Sequence, residues 1–209
     1  MEKARSTADV NTAQAYRQRL LDGMAALLEG TPLARLTIAD VVAQARVSKR
    51  TFYEQFASKE ACFLALCEQM SQQTLAVIAA NYRFDANWVE QLEGVTRAYL
   101  SSLEAQPALL KALTLDLLTL GDEGMALRRQ ISQRFAQFLI LQVELFRLAE
   151  PRKRPMSPAL GTAVVGGIHE LILQAIEEGR ADRLSEMTPT ISEFVQAVLK
   201  SLDPVDPAP

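Results

Sequence analysis

The amino-acid sequence predicts an all-α protein, and three observations carry that expectation. Apolar residues recur at spacings of three and four through almost every long segment. No segment alternates apolar and polar residues with the period of two that a half-buried strand requires. Helix-start and helix-stop residues punctuate the chain where these stretches begin and end: Ser or Thr before the first turn, Pro at its first position, Gly after its last.

Taken in order, Tyr16, Leu20, Met24, Leu27 and Leu28 make a first helix that stops near Gly30. Thr37 with Asp40 is a capping-box pattern, and it starts a short helix carrying Ile38, Val41, Val42 and Ala45. Ser48 caps a third helix with Phe52 and Phe56, and Ser58 caps a fourth, whose apolar residues run from Phe63 to Ile78. Glu60, in the first turn of that helix, suits its positive end. A fifth helix runs from Val89 to Leu103 and ends at Gln106-Pro107; a sixth carries Leu109, Leu113 and Leu117; Gly121 and Gly124 punctuate. Ile131, Phe135, Phe138, Gln142 and Phe146 line a long helix, followed by a proline-rich charged linker over 150–158. Ser157-Pro158 and Thr188-Pro189 each pair a capping residue with proline, so two more helices begin there, the former ending at Gly179.

With 209 residues, 49% hydrophobic and 22% charged, the chain holds one generous domain or two small ones, which excludes a large multidomain enzyme and a disordered chain. Cys62 and Cys67 lie five apart, about 140° around a helix, so a disulfide framework is not expected and the thiols read as small core fillers. No export signal and no stretch of about 18 uninterrupted apolar residues is present, and a cytoplasmic protein without a membrane partner is expected. The net charge of −3 hides an asymmetry: residues 1–60 hold nine Lys/Arg against seven Asp/Glu, and residues 61–209 thirteen against eighteen. Arg46, Lys49, Arg50 and Lys59 against Glu54 concentrate positive charge in one short stretch, where a polyanion would bind.

That stretch has the form of a helix-turn-helix. Residues 37–56 describe two short helices joined by a turn of three or four residues, with Val47 in the angle between them. Phe52 and Phe56 face the core, leaving Lys49, Arg50, Tyr53 and Gln55 on the outward side of the second helix. A DNA major groove admits such a helix, with its N-terminal residues nearest the base edges.

Thr37, Val41, Ala45, Val47-Ser48, Thr51, Tyr53, Phe56 and Ser58-Lys59-Glu60 resemble the N-terminal signature of the TetR (tetracycline repressor) family of transcriptional regulators. The resemblance covers roughly residues 12–70. It implies a disordered arm over 1–10, a DNA-binding domain over 11–57, a helical regulatory and dimerisation domain over 58–202, and a disordered tail over 203–209. Three positions depart from the family: Val42 where Ala is usual, Arg46 where Gly is usual, and Arg50 where Gly is frequent. Arg46 at the turn must accept a left-handed backbone at a cost of about 1 kcal/mol or alter the turn. Resemblance and chemistry together make Lys49 and Arg50 candidates for base edges. They assign Thr37, Ser48, Thr51 and Tyr53 to phosphates through their hydroxyls, with Arg46 and Lys59 adding positive charge.

The resemblance further implies a pocket for a small, often apolar effector among the central helices, with Trp88, Tyr99, Phe135, Phe138 and His169 as lining candidates. It also implies a homodimer through the last two long helices, for which Val164, Gly167, Ile168, Leu171, Phe194 and Val198 are candidates. Gly166-Gly167 inside a helix suits close approach of another backbone. The expected function is a repressor released from a palindromic double-stranded operator by a small molecule. The alternative is a DNA-binding member that senses no ligand and acts through a protein partner. No cofactor, metal site or catalytic residue is expected: His169 is the single histidine, and no nucleotide-loop, nucleophile-elbow or metalloprotease motif occurs.

Overall fold

The computed structural model describes residues 7–81, 88–148 and 151–204, and every regular element among them is helical. The helices are α1 (Thr7–Leu28), α2 (Ile38–Ala45), α3 (Lys49–Gln55), α4 (Lys59–Ala80), α5 (Trp88–Glu104), α6 (Pro107–Thr119), α7 (Gly121–Arg147), α8 (Pro158–Glu177) and α9 (Thr188–Lys200). Short 3₁₀ turns lie at Leu33–Arg35 and Leu184–Met187.

Side-chain caps start these helices where the sequence places them. Ser48 Oγ accepts from Thr51 N at 3.0 Å, Ser58 Oγ from Ala61 N at 3.0 Å, and Ser157 Oγ from Leu160 N at 3.2 Å ahead of Pro158. Thr188 departs from the pattern. The 3₁₀ turn before it already has helical dihedrals at Met187, so Thr188 is the first residue of α9 and its hydroxyl donates backward to Ser185 O at 2.7 Å. Gly124 also differs from expectation: it lies inside α7, where a Cβ would fall 2.0 Å from Leu117 O, so it permits a close approach and does not break the helix.

Part of each end segment expected to be disordered has described structure. The arm anticipated over 1–10 is helical from Thr7, with no Gly or Pro to interrupt α1 before Gly23; residues 1–6, including Lys3 and Arg5, lie outside the described residues. The tail anticipated from residue 203 is held at its first residue, because Asp203 pairs with the Lys153 ammonium. Residues 205–209 lie outside the described residues. The charged run before α8 is tied down by the same contacts: Arg154 N donates to Leu202 O at 2.8 Å, Arg147 Nε donates to Lys153 O at 2.7 Å, and Met156 is buried.

The chain divides into two compact units, Met1–Met70 with Ala108–Met125, and Ser71–Pro107 with Ala126–Pro209. The first is larger than the 11–57 domain expected from sequence. Its core takes in Cys62, Phe63, Leu66 and Cys67 from the start of α4, all buried, together with Leu20 and Met24 of α1. Asp116 of α6 adds a polar tie, accepting from Leu33 N at 3.2 Å. In the second unit α5 packs on α9, and α8 lies against α7, where Gly161 brings its backbone close to Ile140. α8 has a mean hydropathy of 1.5, long and apolar enough by composition alone to cross a membrane, yet only 33% of that stretch is buried within the chain. Its outward positions include Ala159, Ala163 and Gly166.

Candidate nucleic-acid interface and cavity

The helix-turn-helix is built from local hydrogen bonds and a small apolar centre. Thr37 and Asp40 form the full capping box: Asp40 N donates to Thr37 Oγ1 at 3.3 Å and Thr37 N to Asp40 Oδ2 at 2.9 Å. The Thr37 hydroxyl donates to the same carboxylate at 2.7 Å, and these bonds hold the Asp40 carboxyl below the usual carboxylate range. Val41 and Ala45 of α2 are buried with Phe52 of α3. Gly23 lets α1 reach them, since a Cβ there would meet Ala45 N at 3.2 Å.

Arg46 takes the left-handed conformation (φ 52°, ψ 48°), the one non-glycine residue with positive φ among the described residues. Its amide donates to Ala43 O at 3.2 Å and so closes α2 as glycine would. Of the two outcomes open to it, Arg46 accepts the strain and leaves the turn intact. The Arg19 guanidinium helps to pin it there, donating to Arg46 O at 2.7 Å.

The outward face of α3 carries the expected side chains. Lys49 and Arg46 are exposed, Tyr53 is 59% exposed and stacks edge-on against Phe52 at 5.7 Å, and Arg50 is 89% exposed. Arg50 Nε folds back onto Glu54 Oε1 at 3.0 Å, an exposed pair one turn apart worth at most about 1 kcal/mol, so it can be released to a base. The hydroxyls are more committed than expected: Ser48 Oγ lies 2.8 Å from Thr51 Oγ1 while capping α3, and Thr37 serves its capping box. A hydroxyl retains a free lone pair in these arrangements, and a phosphate would have to supply the donor or displace the partner.

Lys59 corrects the sequence reading. Its ammonium does not project as a phosphate contact: Nζ donates to Leu33 O at 2.9 Å and Leu36 O at 2.8 Å, lies 3.7 Å from Glu60, and the side chain is only 17% exposed. It fastens the 3₁₀ turn to α4, because the carbonyls at the end of that turn need donors.

The second unit holds an apolar cavity of about 120 Å³. Four of the five residues expected to line a pocket do so: Tyr99, Phe135, Phe138 and His169. The fifth, Trp88, starts α5, and its side chain lies outside the described residues. Tyr99, Phe135 and His169 form a chain of rings with centroids 6.2 Å and 6.1 Å apart. Burial, reinforced by the Arg128 charge, depresses the His169 pKa to about 4, and burial raises that of the Tyr99 hydroxyl.

Three of the residues expected at a subunit interface have partners inside this unit. Val164 is 1% exposed and lines the cavity with Ile168, because both sit on the inward face of α8. Gly167 approaches a side chain of its own chain: a Cβ there would meet the Phe194 ring at 3.2 Å. Leu171, Phe194 and Val198 are half-buried, and Gly166 faces open space. The thiols Cys62 and Cys67 are buried and pushed up to about 12 by that burial, which keeps them protonated. Among the described residues no group of three His, Cys, Asp or Glu side chains is placed to hold a metal ion.

Residues 20–66 match the family model of bacterial regulatory proteins, tetR family, which spans the buried end of α1 through the first turns of α4. This N-terminal region is of TetR-family type. A region of this type is the DNA-binding part of a bacterial transcriptional regulator, and every regular element among the described residues is helical. A nucleoid occlusion factor SlmA from Marinomonas sp. (strain MWYL1) is 29% identical over 164 residues, 78% of this chain and 80% of the relative. The fatty acid degradation regulator FadR from Bacillus halodurans superposes with a TM-score of 0.73 over 96% of this chain and 98% of its own, at 14% identity. FadR from Bacillus subtilis, in complex with stearoyl-CoA, gives 0.72 over 87% and 97%, at 16% identity. These two structures share the fold.

Two residues that shape the first unit escape sequence reading. Arg19 could not be told from other exposed charges of α1. Asp116 leaves one trace, as the single acid among the apolar residues of α6.

Proposed function

We propose that the protein is a homodimeric repressor that leaves its operator when a small apolar molecule enters the cavity of the second unit. The observation that carries the reading is the cavity itself, lined by residues of α4, α5, α7, α8 and α9, among them Tyr99, Phe135, Phe138 and Val164. Lys49, Arg50 and Tyr53 on each α3, with Arg46 beside them, would enter successive major grooves of a palindromic site, half-sites about 34 Å apart. Ser48, Thr51 and Thr37 would meet phosphates. Lys59 acts through the turn it fastens. The outward face of α8 supports the dimer through its small exposed residues Ala159, Ala163 and Gly166, beside which a second helix can come close. Val198, Leu171 and the rim of Phe194 would join it. A protein that acts on chromosomal DNA works in the cytoplasm.

An effector can shift the equilibrium only by its difference in affinity between the DNA-competent and incompetent conformations. A second reading has its own support. Relatives named nucleoid occlusion factor suggest a member that acts through a protein partner, and Leu141, Leu145 and Leu148 of α7 and its C-terminal turn are exposed at spacings of four and three. A compound library tested by thermal shift, with operator binding followed by anisotropy, separates the two. Stabilising compounds that also dissociate the operator support ligand release; retained operator binding with no stabilising compound supports the partner reading.

A further inference from the structure

The walls of the cavity in the second unit say what kind of molecule fits it. No Lys, Arg, Asp or Glu lines it, and its polar residues are Thr96, Tyr99 and His169. Tyr99 is buried with its hydroxyl protonated, and His169 is neutral at ordinary pH. A carboxylate or ammonium entering here would lose its hydration and find no counter-charge in the lining, the Arg128 charge that acts on His169 lying outside it. The volume, about 120 Å³, is close to that of an apolar protein cavity of about 150 Å³ that stays dry and takes up benzene. An eighteen-carbon acyl chain is far too large for it. The ring chain of Tyr99, Phe135 and His169, tilted at 55° and 71°, offers faces and edges suited to another ring.

We infer that this cavity takes one uncharged apolar ring of benzene to toluene size, and that its walls reject molecules bearing a charge or a long acyl chain. Its regulatory meaning rests on the ligand-release reading; the binding itself does not. Toluene, benzoate and decanoate are titrated against the full-length protein, with binding read by ligand-observed NMR and thermal unfolding, and operator binding read by anisotropy. Toluene saturates and raises the melting temperature, while benzoate binds about tenfold more weakly or worse. Val95→Phe, which fills the cavity, lowers toluene affinity about tenfold, and Leu92→Phe does the same should the first variant lose its helical circular dichroism. Phe138→Ala enlarges the cavity and gains binding of naphthalene.

Absence of toluene saturation overturns the inference, as does toluene binding that neither filling variant weakens, or benzoate or decanoate binding as tightly as toluene. Toluene binding without operator release supports the ring site and overturns the release reading. Operator release by decanoate and not by toluene does the reverse.

Discussion

Replacing Lys59 by Met keeps the apolar stem and removes the ammonium, which separates a structural role from a DNA contact. The lost bonds are those to Leu33 O at 2.9 Å and Leu36 O at 2.8 Å. A hydrogen bond from a charged donor contributes about 1.5–3 kcal/mol net. The low end applies, because the side chain is 17% exposed and water can reach part of the vacated site. Two bonds at that value, less some rehydration of the carbonyls, give a loss of about 2–3 kcal/mol. Urea unfolding of the full chain should show this as a lower midpoint at unchanged slope. Under conditions where the variant is fully folded, the salt dependence of operator binding should match the parent, since no phosphate contact has gone. A variant with parental stability whose salt slope falls by about one would refute the reasoning and return Lys59 to the DNA interface.

Other outcomes follow from the same geometry. Arg46→Gly removes the strain of a left-handed arginine at φ 52° and, after the added freedom of glycine in the unfolded chain, gains about 0.5 kcal/mol in urea unfolding; a loss beyond about 1 kcal/mol would mean that the Arg46 side chain holds the turn. His169, depressed from 6.5 to about 4, makes stability pH-dependent. As pH falls from 6.5 towards 4 the unfolded chain takes up a proton that the folded chain refuses, so stability drops by about 2–3 kcal/mol and levels off below 4. His169→Phe should flatten that decline in unfolding at pH 7, 5.5 and 4.5, and an unaltered slope would assign it to other groups. Gly166→Glu introduces a charge where nothing lies within 4 Å, so the monomer folds normally while sedimentation reports half the parental mass; an unchanged mass would move the interface away from α8.

How far the sequence could be read depended on how local the determining contacts are. The capping box at Thr37, the caps at Ser48 and Ser157 and the burial of Phe52 and Phe56 depend on residues within a turn or two, and all were legible. Ring residues at helical spacing, read beside the family resemblance, also marked Tyr99, Phe135, Phe138 and His169, which now share one cavity. Lys59 was misread because its partners are carbonyls 26 and 23 residues away, and a lysine in a basic stretch looks the same in sequence whether it faces solvent or a turn. Gly167 was assigned to a partner backbone when the Phe194 ring of its own chain explains it, a contact fixed only once α8 and α9 pack. The proline-rich charged linker before α8 gave no sign of its ties, Arg154 to Leu202 and Lys153 to Asp203, because they join segments about fifty residues apart.

Selection of bound sequences from random duplex DNA, run in parallel with the parent chain and Arg50→Ala, tests most directly whether α3 reads DNA. The parent should recover an inverted repeat with half-sites about one helical turn apart, and the variant the same repeat with preference relaxed at one base pair per half-site, about 1–3 kcal/mol of discrimination lost. Enrichment of no symmetric site, or an identical motif from both proteins, would contradict the placement of the Lys49, Arg50 and Tyr53 face in the major groove.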